Sequence, residues 1–273
     1  MTFNVRYDEP ADGRHAWPHR RRLVAAAIRS HAPDLIGLQE PTVNQWEDMA
    51  SDLPDWLPFG DASQDEDDCF DRHGGFIKAS RFDVGAGGRF WLSATPHVAG
   101  SVSWANDWGP RACGWTRLHD RAAGRELIFA STHLDTNSGA WLPSARVLHA
   151  ELDEIAHGSP VILVGDFNCA AGSETHAYLL EVAGYRDAWI EAGHSNAGVV
   201  TFHGFTQTVQ LPDEPGRLQE YSPDVRQHRN CRIDWILFRG PLACGAAAID
   251  YRHEDGLMPS DHYPVFAALS WEG

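Results

Sequence analysis

Asp166 and Asn168 stand two residues apart at the end of the run Pro160-Val161-Ile162-Leu163-Val164-Gly165-Asp166-Phe167-Asn168. On extended backbone such residues point to the same side, so a carboxylate and an amide face one space. The pair can align an attacking water, or it can close an Asx turn that simply ends a strand. Other chemistry-bearing residues fall in comparable places. Glu40 follows Leu35-Ile36-Gly37-Leu38-Gln39, His133 lies in Ser131-Thr132-His133-Leu134-Asp135, and Asp261 and His262 precede Val265-Phe266-Ala267-Ala268-Leu269. Each has a plain reading too: Glu40 as an acid at a helix N-terminus, His133 as a hydrogen-bonded structural residue. Asp234 is set among the hydrophobic residues of 231–238, where a carboxylate is costly unless paired, and His262 is a candidate partner. Asn4 and Arg111 complete the set.

These residues need strands to place them. Four consecutive aliphatic residues at 161–164 read as a strand buried on both faces. Residues 2–6 alternate as a strand that begins almost at the first residue, which implies an edge or truncated strand with Asn4 near its end. Residues 75–78 and 82–84 read as a strand pair, 113–118 and 126–131 as two strands joined by a turn at 120–124. Helical spacing covers 20–31, 141–156 and 174–184, and a helix through Val43, Trp46 and Met49 follows Glu40. Residues 8–19, 100–110 and 192–229 are rich in Pro, Gly and polar residues and read as loops.

The chain has 273 residues, 43% hydrophobic and 22% charged, enough for a sizeable core. No apolar run is long enough to span a membrane and no signal-peptide pattern opens the chain, so a cytoplasmic location is expected. Five scattered cysteines without a CxxC pair argue against a disulfide framework or a zinc cluster. Twenty-two basic residues against 38 acidic ones give a formal charge of -16, which repels an extended polyanion. Part of that excess, at 61–71, reads as a solvated loop lacking the pattern of a calcium loop. Among 11 tryptophans, Trp17, Trp104 and Trp108 sit in polar, turn-rich surroundings where an aromatic could wall a pocket.

The segments LIGLQE, STHLD, VGDFN, RIDWIL and SDHYPV, in this order, resemble the endonuclease/exonuclease/phosphatase superfamily, whose members include deoxyribonuclease-, exonuclease III- and deadenylase-like enzymes. FNVRYDEPADG, FWLSATP, RACGWTRL and TFHGF are similar to a bacterial branch of it. The resemblance spans nearly the whole chain. It implies one domain over 1–273, a four-layered α/β sandwich of two mixed β-sheets with helices outside, and an active site where strands end. It further implies that Asp166 orients or deprotonates a water, that Asn168 holds the water or the phosphate, and that His262, oriented by Asp234, contacts the phosphate. His133 would donate to a phosphoryl oxygen or assist the leaving group, and Arg111 would bind phosphate. The oxygen donors Glu40, Asn4 and Asp261 suit a hard ion, Mg²⁺ with Mn²⁺ as a substitute. The expected activity is metal-dependent hydrolysis of a phosphodiester or phosphomonoester. The expected substrate is a small phosphorylated molecule or a short nucleic-acid end rather than duplex DNA, with no obligate protein partner. The alternative is a non-catalytic phosphate-ligand binding domain of the same fold. Trp17, His203 and Phe205 are candidates for contacting the substrate beyond its phosphate, with ordinary packing as the competing reading.

Overall fold

The computed structural model describes residues 1–60, 73–205 and 231–273. The acidic stretch at 61–71 and most of the loop-rich region beyond residue 205 lie outside the described residues. In chain order the elements are β1 (Thr2–Asn4), a 3-10 turn (Pro10–His15), α1 (Trp17–His31), β2 (Leu35–Gln39), α2 (Val43–Asp52), β3 (Trp56–Gly60), β4 (Gly74–Lys78) and β5 (Phe82–Trp91). Then come β6 (Ala112–Asp120), β7 (Arg125–His133), α3 (Ser138–Ala156), β8 (Val161–Asp166), α4 (Glu174–Glu181), β9 (Arg186–Asp187), α5 (Ala188–Glu191), β10 (Asp234–Arg239), β11 (Leu242–Ile249) and β12 (Val265–Trp271).

The strands form two mixed six-stranded sheets, β11-β12-β1-β2-β4-β3 and β5-β6-β7-β8-β10-β9. The strand read at 75–78 therefore does not pair with that at 82–84. Gly75 and Ile77 are bonded to β2 and β3, whereas Phe82 pairs with Asp120 in the other sheet. Nor is β1 an edge. It lies between β2, to which it runs parallel, and β12, to which it runs antiparallel, and its residues are wholly buried. Three residues suffice there because both neighbours supply hydrogen bonds, and the Met1 ammonium donates to Leu35 O at 2.9 Å.

Alternation decides which side chains meet. In β8, Val161 and Leu163 pack with α3 and α4, while Ile162 and Val164 pack between the sheets. In β1 and β2, Phe3, Ile36 and Leu38 face α1 and α2, so Thr2, Asn4, Gly37 and Gln39 face the opposite sheet. The layers thus run helices, sheet, sheet, helices, as the four-layered sandwich requires. Between the sheets the hydrophobic core ends in a polar seam: Gln39 Nε2 donates to Ser131 Oγ at 3.0 Å, and Ser131 Oγ donates to Leu38 O at 3.1 Å. Gly37 lets the sheets close at this point, since an added Cβ would overlap Val164 Cγ2 and come within 2.9 Å of Ser131 Oγ.

Candidate active site

The same parity that sends Ile162 and Val164 between the sheets sends Asp166 there, one step beyond the core. His133 shares the parity of Leu127 and Phe129, and Asp234 that of Ile236 and Phe238. Register places the three side by side across one sheet, His133 opposite Asp166 and Asp166 opposite Asp234. From the other sheet, Asn4 arrives opposite Gln39, with Glu40 one residue further. The site is therefore the open end of the inter-sheet seam, made of positions that would otherwise be core.

Asn4 joins the two sheets. Its amide nitrogen donates to Asp166 Oδ2 and to Glu40 Oε1, both at 3.0 Å, while its oxygen accepts from Arg6 N. Glu40 Oε2 accepts from Tyr7 N at 3.2 Å. Asp166 Oδ1 accepts from Asn168 N at 2.9 Å, so the Asx turn is real and coexists with a carboxylate facing the site. Asn168 Nδ2 donates to Leu134 O at 2.7 Å and lies 3.1 Å from His133 Nε2. Two of these residues leave their strands in the left-handed region, Glu40 at φ 63° and Asn168 at φ 51°. Asparagine tolerates that conformation; for glutamate it is strained, which marks Glu40 as held in place by its surroundings.

His262 Nδ1 meets Asp234 Oδ2 at 2.9 Å and its Nε2 lies 3.5 Å from Asp166 Oδ2, so the buried aspartate has the partner that its setting demanded. Burial opposes a charge on this ring, but Asp234 and Asp166 outweigh it and push the imidazole up to about 10. His133 goes the other way: burial and the neighbouring Arg111 guanidinium hold it well below its ordinary value. Arg111 Nη1 donates to His133 Nδ1 at 2.9 Å, which leaves the ring proton on Nε2, 3.4 Å from Asp166 Oδ2. Burial raises Asp166 to about 7, Asp234 adding to it and His262 working against it. Asp261 is raised as well, by burial, with the Glu40 charge nearby reinforcing it.

Carboxylates crowd this site, and the donor set divides in two. Asp166, Asp234 and His262 bring ligand atoms within 4.8 Å of one another, yet that space is served by the imidazolium itself. Glu40 and Asp261 offer carboxylate oxygens, whereas Asn4 turns its amide nitrogen to Glu40 and Asp166 and gives its oxygen to Arg6 N; burial, with the Glu40 charge nearby, raises the Asp261 carboxyl. These residues fit a hard divalent ion.

The segment at 201–205 acts from behind. Thr201 Oγ1 accepts from Ile233 N and Asp234 N, His203 N and Gly204 N donate to Asp261 O, and Phe202 lies 4.7 Å from the His262 ring. His203 is buried against Tyr263, too far inside for the substrate contact expected of it, whereas Phe205 is half-buried and stacked on His15. Trp17 is likewise not a pocket wall: it is buried in the core beneath α1, its indole N–H given to Asp48 at 2.8 Å. Sequence reading missed Thr201, Phe202 and Ser260. A hydroxyl immediately before Asp261 was the signal for the last, which donates to Asn4 O at 2.6 Å.

The family model described as Endonuclease/Exonuclease/phosphatase family matches residues 1–262. Among solved structures, an endonuclease/exonuclease/phosphatase protein from Bacteroides vulgatus is 26% identical, with a TM-score of 0.82 over 99% of this chain and 97% of that one. A mannosyl-6-phosphatase from Bacteroides thetaiotaomicron is 24% identical, with a TM-score of 0.81 over 99% and 98%. The D. rerio TDP2 crystallised with a single-strand DNA product is 18% identical, with a TM-score of 0.70 over 98% and 97%. No curated protein matches the chain.

Proposed function

Because the chain belongs to the endonuclease/exonuclease/phosphatase family, we propose that it is a divalent-metal-dependent phosphoesterase that hydrolyses a phosphate ester by direct attack of water. The observation that carries this reading is the convergence on Asp166 Oδ2 of Asn4 Nδ2, His133 Nε2 and His262 Nε2, at 3.0, 3.4 and 3.5 Å. A buried carboxylate raised to about 7 is suited to take a proton near neutral pH. Asp166 accepts the proton of the attacking water, and Asn168 holds that water or the phosphate. His262, kept protonated by Asp234, offers its Nε2–H to a phosphoryl oxygen. His133, its tautomer set by Arg111, offers a neutral Nε2–H to a phosphoryl oxygen or the leaving oxygen. Mg²⁺, or Mn²⁺ in its place, held by Glu40 with Asn4 and Asp261, would polarise the phosphoryl group.

The net charge of -16 favours a small phosphorylated molecule or a short nucleic-acid end over duplex DNA. The test is product release from bis-p-nitrophenyl phosphate, p-nitrophenyl phosphate, mononucleotides, short RNA and sugar phosphates, with Mg²⁺, with Mn²⁺ and with chelator. Turnover that needs the ion and disappears in Asp166→Ala is the expected result. Binding of a phosphorylated ligand with no turnover under any ion would instead make the protein a phosphate-binding domain.

A further inference from the structure

Arg20 lies wholly inside the protein, on the buried stripe of α1 that also carries Trp17, Val24 and Ile28. Among the described residues no carboxylate is hydrogen-bonded to it. Its guanidinium is instead filled by backbone carbonyls: Nε donates to His15 O at 2.8 Å, Nη1 to Val5 O and to Pro259 O, and Nη2 to Arg6 O and to Tyr7 O. A guanidinium has five N–H donors, and five carbonyls receive them. No donor is left for a substrate phosphate.

The carbonyls come from both ends of the chain. Residues 5–7 follow Asn4, and Tyr7 N is the donor that holds Glu40 Oε2. Pro259 immediately precedes Ser260, Asp261 and His262, and Ser260 Oγ returns to Asn4 O. We propose that Arg20 is a positioning residue of the catalytic centre, fastening residues 5–7 and the segment before Asp261 into one unit so that Glu40, Asn4 and Asp261 are held in register. The inference rests on the phosphoesterase reading for its catalytic consequence, but not for the fastening itself. Only arginine meets the geometry: lysine has three donors on one nitrogen and cannot span five carbonyls spread across a plane. Burial lowers the guanidinium to about 10, with Asp261, Asp12 and Glu40 working against it, so the cation persists at neutral pH.

The experiment compares wild type, Arg20→Lys and Arg20→Ala by amide hydrogen exchange, by the thermal shift on adding Mg²⁺ alone, and by kinetics. In Arg20→Lys we expect protection at the Tyr7 and His262 amides to fall about tenfold or more while β8 is unchanged, the signature of local rather than global opening. The Mg²⁺ concentration for half of the thermal shift should rise, and kcat should fall about 100-fold with KM nearly constant, as misplacement of catalytic groups does. Methylguanidinium added to Arg20→Ala should restore part of each loss. Wild-type protection at Tyr7 and His262 in Arg20→Lys would overturn the proposal, as would loss of protection spread evenly through both sheets. Should Arg20→Ala fail to fold, Arg20→Lys, which keeps the stem and charge, carries the test. Should wild type turn over no substrate, hydrogen exchange still decides the fastening, and only the catalytic reading falls.

Discussion

Two buried clusters in this protein pair an aspartate with a histidine, and they are built to opposite ends. At the open end of the seam, one imidazolium, His262, faces two carboxylates, Asp234 and Asp166, and Asp234 Oδ1 is buried without a hydrogen-bond partner among the described residues. Beneath α4, Asp187 is shared by His176 Nε2 at 2.8 Å and by Arg232 Nη2, and its Oδ1 accepts from Trp189 N at the start of α5. All six of these side chains are nearly inaccessible, so burial does not tell the clusters apart. Charge does. The Asp187 carboxylate has a guanidinium and an imidazole against it and is held below its ordinary value despite its burial, whereas burial, with Asp234 adding to it, raises Asp166 to about 7 although His262 opposes the shift. A satisfied cluster stabilises the fold; one left short of positive charge is available for chemistry.

The sharpest way to break this contrast is Asp166→Asn, which should lower kcat by about 10³- to 10⁴-fold while leaving a cooperative unfolding transition, measured by steady-state kinetics and denaturation. Its counterpart Asp187→Asn should do the reverse, costing about 3–5 kcal/mol of stability by stranding the buried Arg232 guanidinium, with kcat per folded molecule preserved. That stability difference has a defined pH dependence. Since the Asp187 carboxyl is depressed when folded, its contribution is present above the unfolded value of 3.8 and is lost as pH falls through the lower folded value. Urea midpoints of wild type and Asp187→Asn should therefore converge in acid. Glu40→Gln, tested by thermal shift with Mg²⁺, should abolish the response to the ion and reduce kcat about 100-fold with a stability change near 1 kcal/mol, because one amide oxygen still accepts a hydrogen bond. The smallest effect belongs to His176→Gln: about 1–2 kcal/mol of stability by denaturation, and unchanged kcat.

The cluster at the open end of the seam was legible in the sequence and the one around Asp187 was not, although the residue types are the same. Asp166, Asn168 and His133 stood at the ends of aliphatic runs, and an acid at such a place breaks a pattern that is otherwise apolar. Asp187 and Arg232 break no pattern, because β9 is two residues long and Arg232 stands just before β10 rather than inside it. The strands β3 and β11 were missed for a similar reason: Pro58 interrupts one, and the other is half alanine with a bulge at Gly245 after Cys244. Reading residues 75–78 and 82–84 as a strand pair failed because nearness in sequence favours local pairing, while the chain here crosses from one sheet to the other. Arg20 was legible in principle. It shares its helical face with Val24 and Ile28, while Arg21 reaches outward to Asp48 and Asp52 and Arg22 to Glu254.

The hydrogen bond from Ser260 Oγ to Asn4 O closes a loop of 256 positions. During synthesis, Asn4 leaves the ribosome long before Asp261 and His262 exist, and β1 waits for β12 to complete its sheet. At a translation rate of about 5–20 residues per second the nascent chain spends on the order of ten seconds or more with Asn4 made and His262 still to come. A site assembled in this way cannot close until the segments that carry Asn4 and His262 have both been made, however far apart they are read.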